Sequence, residues 1–314
     1  MKGLELSEKF YTECGEPMLK EQFSDILPFI AVGLAGSGSE CFGYDDDISK
    51  DHDFEPGFCI FIPDDGIIDT KREFELEKAY ARLPKEFMGH KRSTYSAVGG
   101  NRHGVIKTTD FFESKTGSAD GILTIGQWLT VPEYALAEAV NGKIFSDDYG
   151  EFTEIRNRLS KYPDDIRLKK IAGNLLLMGQ SGQYNYNRCI SRNETAAAQL
   201  AVFEFVKSTV NVLFLLNNTY TPYYKWSFRA LRDFGDKYKT IAQNLEFLIS
   251  SDNIADTAKQ KSCIVEDICL TITDELNARL ISKSTTVEME QQAYIVNNTI
   301  KDNNIRNMHI LSGV

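Results

Sequence analysis

The sequence predicts an α+β protein: short strands alternate with helices as far as residue 163, and helical patterning then runs almost unbroken to the end. Three observations carry this. Two apolar runs of strand length, residues 30–35 and 58–63, are bounded by Pro, Gly and acidic residues. Helical spacing flanks them, and beyond Phe152 nearly every apolar residue recurs at that spacing. The change of pattern falls at Tyr162-Pro163-Asp164-Asp165, and 314 residues are enough for two domains. The expected division is a helical segment over 1–27, a sheet-containing domain over 28–163 and a helical domain over 164–314.

Leu6, Phe10 and Cys14 share one face of a helix expected to end at Gly15, and Pro17 opens a second helix that Pro28 closes. Residues 30–35 form the first strand and 58–63 the second. Asp69 is the expected N-cap of a helix from Thr70 to Leu83, which Pro84 stops. Residues 93–104 read as a small, polar loop and Val105 to Glu113 as a strand. Pro132 starts a short helix capped at Asn141-Gly142, and Lys143-Ile144-Phe145 follows as a strand. No internal repeat is visible, and the polar C-terminal stretch is expected to fray.

Composition narrows the function. A formal charge of -10 argues against a protein built to grip nucleic-acid backbone, which needs clustered Lys and Arg. Six cysteines without a CxxC pair fit reduced thiols in the cytosol, and four histidines disfavour a zinc site. Lys2, Glu5, Glu8 and Lys9 interrupt any apolar core of an export signal, so none is expected. The apolar stretch from Leu200 to Leu216 contains Glu204, Lys207 and Asn211 and reads as a core helix, so the expectation is a cytoplasmic protein without a membrane span.

The stretch from Gly36 to Phe54 concentrates the chemistry. Gly36 and Gly38 permit close backbone approach, while Ser37 and Ser39 offer hydroxyls to phosphate oxygens. Asp51 and Asp53, two apart on a strand, point to one face and can share magnesium, with His52 turned away. Asp45, Asp46 and Asp47 read as a solvated acidic turn. A third acid on a neighbouring strand would complete a two-metal site; Asp110 is the choice, as metal ligand or general base, and Glu113 the fallback.

Gly38-Ser39 followed by Asp51-His52-Asp53-Phe54 entering a strand resembles the Gly-Ser and Asp-x-Asp signature of the DNA polymerase beta-like nucleotidyltransferases, with Gly36-Ser37 as a second candidate for its first half. The run from Gly38 through Asp53 is also similar to a bacterial group of nucleotidyltransferase-like proteins known only as a domain of unknown function. The resemblance covers about residues 28 to 160. It implies a small mixed sheet flanked by helices, Mg2+, and transfer of a nucleoside monophosphate from a nucleoside triphosphate with release of pyrophosphate. His52 departs from it, standing where the family usually has an apolar residue.

Two polar and aromatic clusters, residues 182–188 and 217–229, look like the helical domain that follows the catalytic domain in small-molecule nucleotidyltransferases. In that likeness Lys225 and Arg188 neutralise phosphate, and Tyr184 or Trp226 stacks on a ring. The expected activity is a magnesium-dependent nucleotidyltransferase moving AMP from ATP onto a hydroxyl of a small molecule or macromolecule. Asp51, Asp53 and Asp110 are its metal and catalytic residues. Gly36, Ser37, Gly38, Ser39, Lys225, Arg188 and Tyr184 bind the nucleotide. The alternative is a non-catalytic nucleotide-binding or antitoxin-like interaction module of the same fold. A Rossmann-type dinucleotide site at Gly33 to Gly38 is a third option, without the GxGxxG order.

Overall fold

The structure is a computed structural model that describes residues 1–47, 55–92 and 102–314. The chain forms two compact units, Met1–Leu123 with Ala135–Ser160, and Thr124–Tyr134 with Lys161–Val314. The architecture is α+β, a small mixed sheet with helices followed by a helical region.

In the first unit α1 (Gly3–Phe10), a π-helical turn (Tyr11–Gly15) and α2 (Glu16–Gln22) make one helical run, so Gly15 does not end the first helix. Packing explains the glycine: a Cβ there would stand 2.4 Å from the Phe58 ring. Asp45 is buried and not solvated, because its carboxylate accepts the Gly3 N–H at 2.8 Å, an anion set on the start of α1.

β1 (Ala31–Leu34) and β2 (Cys59–Ile62) are antiparallel and fully buried. The helix α3 (Thr70–Ala81) is capped as expected, the Asp69 side chain accepting the Arg72 N–H at 2.7 Å. Its Tyr80 hydroxyl donates to the Phe58 carbonyl at 2.8 Å and accepts the Phe58 N–H, tying helix to sheet. Burial holds that phenol well above its usual range. After a two-stranded ribbon of β3 (Glu86–Phe87) and β4 (His90–Lys91), β5 (Gly104–Lys107) pairs parallel to β2.

The chain then turns helical: α4 spans Thr108–Thr116, where the sequence predicts more strand. After α5 (Ile125–Thr130) and α6 (Glu133–Val140), β6 (Lys143–Asp147) joins the other edge, and α7 (Glu151–Leu159) closes the unit. The strand order is β5-β2-β1-β6. Phe61, Phe111, Phe112 and Phe152 pack ring on ring beneath one face, with centroids 4.2–5.5 Å apart.

The second unit is helical. α8 (Asp164–Met178) passes through a π-helical segment (Gly179–Tyr186) into α9 (Asn187–Ser191), and α10 (Thr195–Leu216) returns alongside. Asn174 meets Asn211, and Gly182 lies so close to Phe205 that a Cβ would stand 2.3 Å from its ring. Among the described residues α10 is long and apolar enough to cross a membrane, but 61% of its apolar window is buried in the fold, as a core helix requires. There follow α11 (Tyr224–Asp233), α12 (Asp236–Ser250), α13 (Ala255–Ala278), α14 (Met289–Asn297) and α15 (Asn303–Asn307). The C-terminal stretch is anchored and does not fray: buried Lys169 donates to Asn297 Oδ1 and to the carbonyls of Arg306 and Met308.

Candidate functional site

The sheet registers gather four chain segments at one end. Gly33 stands opposite Cys59, Cys59 opposite Gly104, and Leu34 opposite Lys143. The exit of β1 and the entries to β2, β5 and β6 therefore share that end. Gly36 to Ser39 form the loop leaving β1, with φ of +107° at Gly36 and +134° at Gly38, values that favour glycine. Ser39 precedes only a single 3-10 turn (Glu40–Phe42), so no helix N-terminus is available there for an anion.

Three side chains that spacing alone does not reveal hold this loop. Asn141 grips Gly36 from both sides, its Oδ1 accepting the Gly36 N–H and its Nδ2 donating to the Gly36 carbonyl, each at 2.8 Å. Ser37 Oγ donates to Glu138 Oε2 at 2.7 Å, and Lys115 Nζ donates to Ser37 Oγ at 2.9 Å while pairing with the same carboxylate. Glu138 sits on α6, one turn before Asn141, so both reach the loop from one side of the chain. Arg156 fixes the end of that helix, donating to the carbonyls of Val140, Asn141 and Gly142. An acid followed three residues later by Asn-Gly at a helix end was the available signal.

A second carboxylate lies under the loop. Glu40 is buried, its Oε2 is 3.5 Å from Ser39 Oγ, and its Oε1 is 3.9 Å from an Arg102 nitrogen. A Cβ on Gly38 would stand 2.2 Å from Glu40 Oε1. Cys41 and Cys59 are buried nearby, and burial pushes the Cys59 thiol up to about 12, which leaves it a packing group and not a nucleophile.

Asp51, His52 and Asp53 lie outside the described residues. Asp110 does not stand on a strand: β5 ends at Lys107, and Asp110 is exposed in the first turn of α4. That turn is at the other end of the sheet, where the Asp64 carboxylate first, and then Glu73 and Asp110, raise the Lys107 pKa. The chain turns there because Lys107, in extended conformation, is the N-cap of α4, which runs back to place Lys115 at the loop. Glu113 is exposed on the same helix.

The structure does not bring the residues of the helical unit together as one site. Tyr184 and Arg188 are exposed and pair with each other, the guanidinium 4.7 Å from the ring centroid. Lys225 is exposed beside Trp226, 5.1 Å over its ring, on the helix that follows the far end of α10. From Phe205, beside Gly182, to Leu216 is about 16 Å along the helix axis. The Rossmann option fails on topology, since the strand after the glycine loop returns antiparallel to β1.

Among the described residues no group of three His, Cys, Asp or Glu side chains could hold a metal ion. A magnesium assignment therefore rests on Asp51 and Asp53.

Residues 128–227 match the profile of a family described as Domain of unknown function (DUF4037). No curated protein matches the chain. A solved structure similar to it is that of a nucleotidyltransferase-like protein from Exiguobacterium sibiricum 255-15, with 11% identity, 85% of this chain and 78% of that chain covered, and a TM-score of 0.38.

Proposed function

We propose that the protein is a nucleotidyltransferase that moves a nucleoside monophosphate, AMP from ATP as the first candidate, onto a hydroxyl of a small molecule or macromolecule. One observation carries the reading. The two halves of the Gly-Ser and Asp-x-Asp signature lie between β1 and β2, and these strands are antiparallel neighbours with Gly33 opposite Cys59. A chain that leaves β1 through Gly36 to Ser39 and re-enters at Cys59 returns to the same sheet end, so both halves of the signature belong to one connection between neighbouring strands.

In this reading the acceptor hydroxyl gives its proton to solvent, its oxygen bonds to the α-phosphorus, the bond from that phosphorus to the bridging oxygen breaks, and pyrophosphate leaves. Asp51 and Asp53 are the proposed holders of Mg2+, which when bound would neutralise polyphosphate charge. Ser37 and Ser39 bring hydroxyls to the phosphate oxygens, and the clamp by Asn141 keeps the loop in one shape, so little order is lost on binding.

A second reading, a nucleotide-binding or interaction module without turnover, is favoured by one observation: Asp110 and Glu113 stand on α4, and β5 carries no acid. Transfer separates the two. With nucleoside triphosphates labelled at the α-phosphate and a panel of hydroxyl acceptors, a transferase moves the label onto an acceptor, whereas binding with no label transferred by the magnesium-loaded protein supports the module.

A further inference from the structure

Ser37, Lys115 and Glu138 come from the loop after β1, the last turn of α4 and the body of α6, and they converge on one carboxylate oxygen. Ser37 Oγ reaches Glu138 Oε2 at 2.7 Å, and Lys115 Nζ donates both to Ser37 Oγ, at 2.9 Å, and to that same oxygen. The lysine and glutamate side chains are only 19% and 14% exposed. A phosphate oxygen asks for the same two donors, a hydroxyl and an ammonium.

Resting on the nucleotidyltransferase reading, we infer that Glu138 is an internal stand-in for phosphate: it holds Ser37 and Lys115 ready and releases Lys115 to the polyphosphate of an incoming nucleoside triphosphate. Lys115 is then a polyphosphate-binding residue and Glu138 its positioning residue. The alternative use of the pair, a serine nucleophile with a lysine base, is disfavoured because the ion-paired ammonium donates to Ser37 and has no lone pair for its proton.

The scaffold suits an exchange of partners. Lys115 is a flexible stem with three rotatable donors, whereas the Glu138 end of the site is fixed by Arg156 on the end of α6 and by the Asn141 clamp on Gly36. The ammonium can therefore swing without moving the loop. Before ligand arrives the pair leaves no unpaired charge in a partly buried place. Ser39, Glu40 and Arg102 also set a carboxylate beside a serine and a cation, at longer distances.

The test is calorimetric binding of inorganic tripolyphosphate and of magnesium-ATP to wild type, K115Q, E138Q and the double variant. K115Q is expected to weaken binding about tenfold and E138Q to tighten it about tenfold, the worth of one charge-assisted hydrogen bond. In the K115Q background the gain from E138Q should shrink below about threefold, since the released partner is gone. Unchanged binding by K115Q, or an equal gain from E138Q in both backgrounds, would overturn the inference, the latter making Glu138 a simple repulsive charge. If wild type binds neither probe, the nucleotidyltransferase reading falls too; if it binds both and the variants match it, only the stand-in falls. The double variant leaves no orphaned charge, and where a single variant unfolds it tests the inference against wild type alone: binding at least about threefold weaker is expected, and binding equal to wild type would overturn it.

Discussion

Replacing Asn141 tests how the loop is held. In N141A the Gly36 N–H and carbonyl each lose a 2.8 Å partner, and Gly36 is buried. A buried backbone group left unpaired costs about 1–3 kcal/mol, and because Asn141 is itself only partly buried, water recovers some of it, giving about 2 kcal/mol for the two. N141D isolates the donor: it keeps an acceptor for the N–H but turns a carboxylate oxygen toward the Gly36 carbonyl, so it should cost at least as much as N141A. Both tryptophans, Trp128 and Trp226, lie in the helical unit, so their fluorescence does not report this change. Urea-dependent labelling of Cys41 and Cys59 does, since both thiols are buried in the sheet-containing unit. A fall in the labelling midpoint at unchanged slope is the expected result. N141D within about 0.5 kcal/mol of wild type would refute the two-sided clamp.

Two further perturbations follow from the same unit. G15A drives a Cβ to 2.4 Å from the Phe58 ring and should cost about 1–3 kcal/mol by overpacking, although alanine is the better helix former; a stabilised G15A in the same labelling assay contradicts the packing role. Burial first, and then the charge of Asp65, raise the Glu151 pKa, so the fold favours its neutral form. That contribution is present below the unfolded glutamate value of about 4.3 and is lost as pH rises through the raised folded value. E151Q should therefore melt above wild type at pH 7, with the difference vanishing toward pH 4; no difference at pH 7 removes the argument.

Much of the fold was legible because strand and helix periods differ and because Asp69, Pro84 and Pro132 punctuate the chain. The reading failed where a residue type serves two purposes. Gly15 looks like a helix stop but is a contact point for Phe58, and Val105 to Glu113 is apolar enough for a strand although Lys107 caps a helix. The loop itself was legible, while its partners were not. Lys115, Glu138 and Asn141 lie up to 105 positions away in sequence and meet it only through the return of α4 and the register of β6. Such contacts are set by topology, which no local pattern encodes. Arg188 and Lys225 are alike in composition but stand on different helices, α9 and α11.

The central claim is that Asp51 and Asp53 serve nucleotidyl transfer. The most direct measurement is magnesium-dependent pyrophosphate release from each nucleoside triphosphate, with a panel of hydroxyl acceptors, by wild type, Asp51→Asn and Asp53→Asn. The account predicts release by wild type that falls at least about a hundredfold in each variant while the melting temperature holds. Equal release by all three proteins would contradict it.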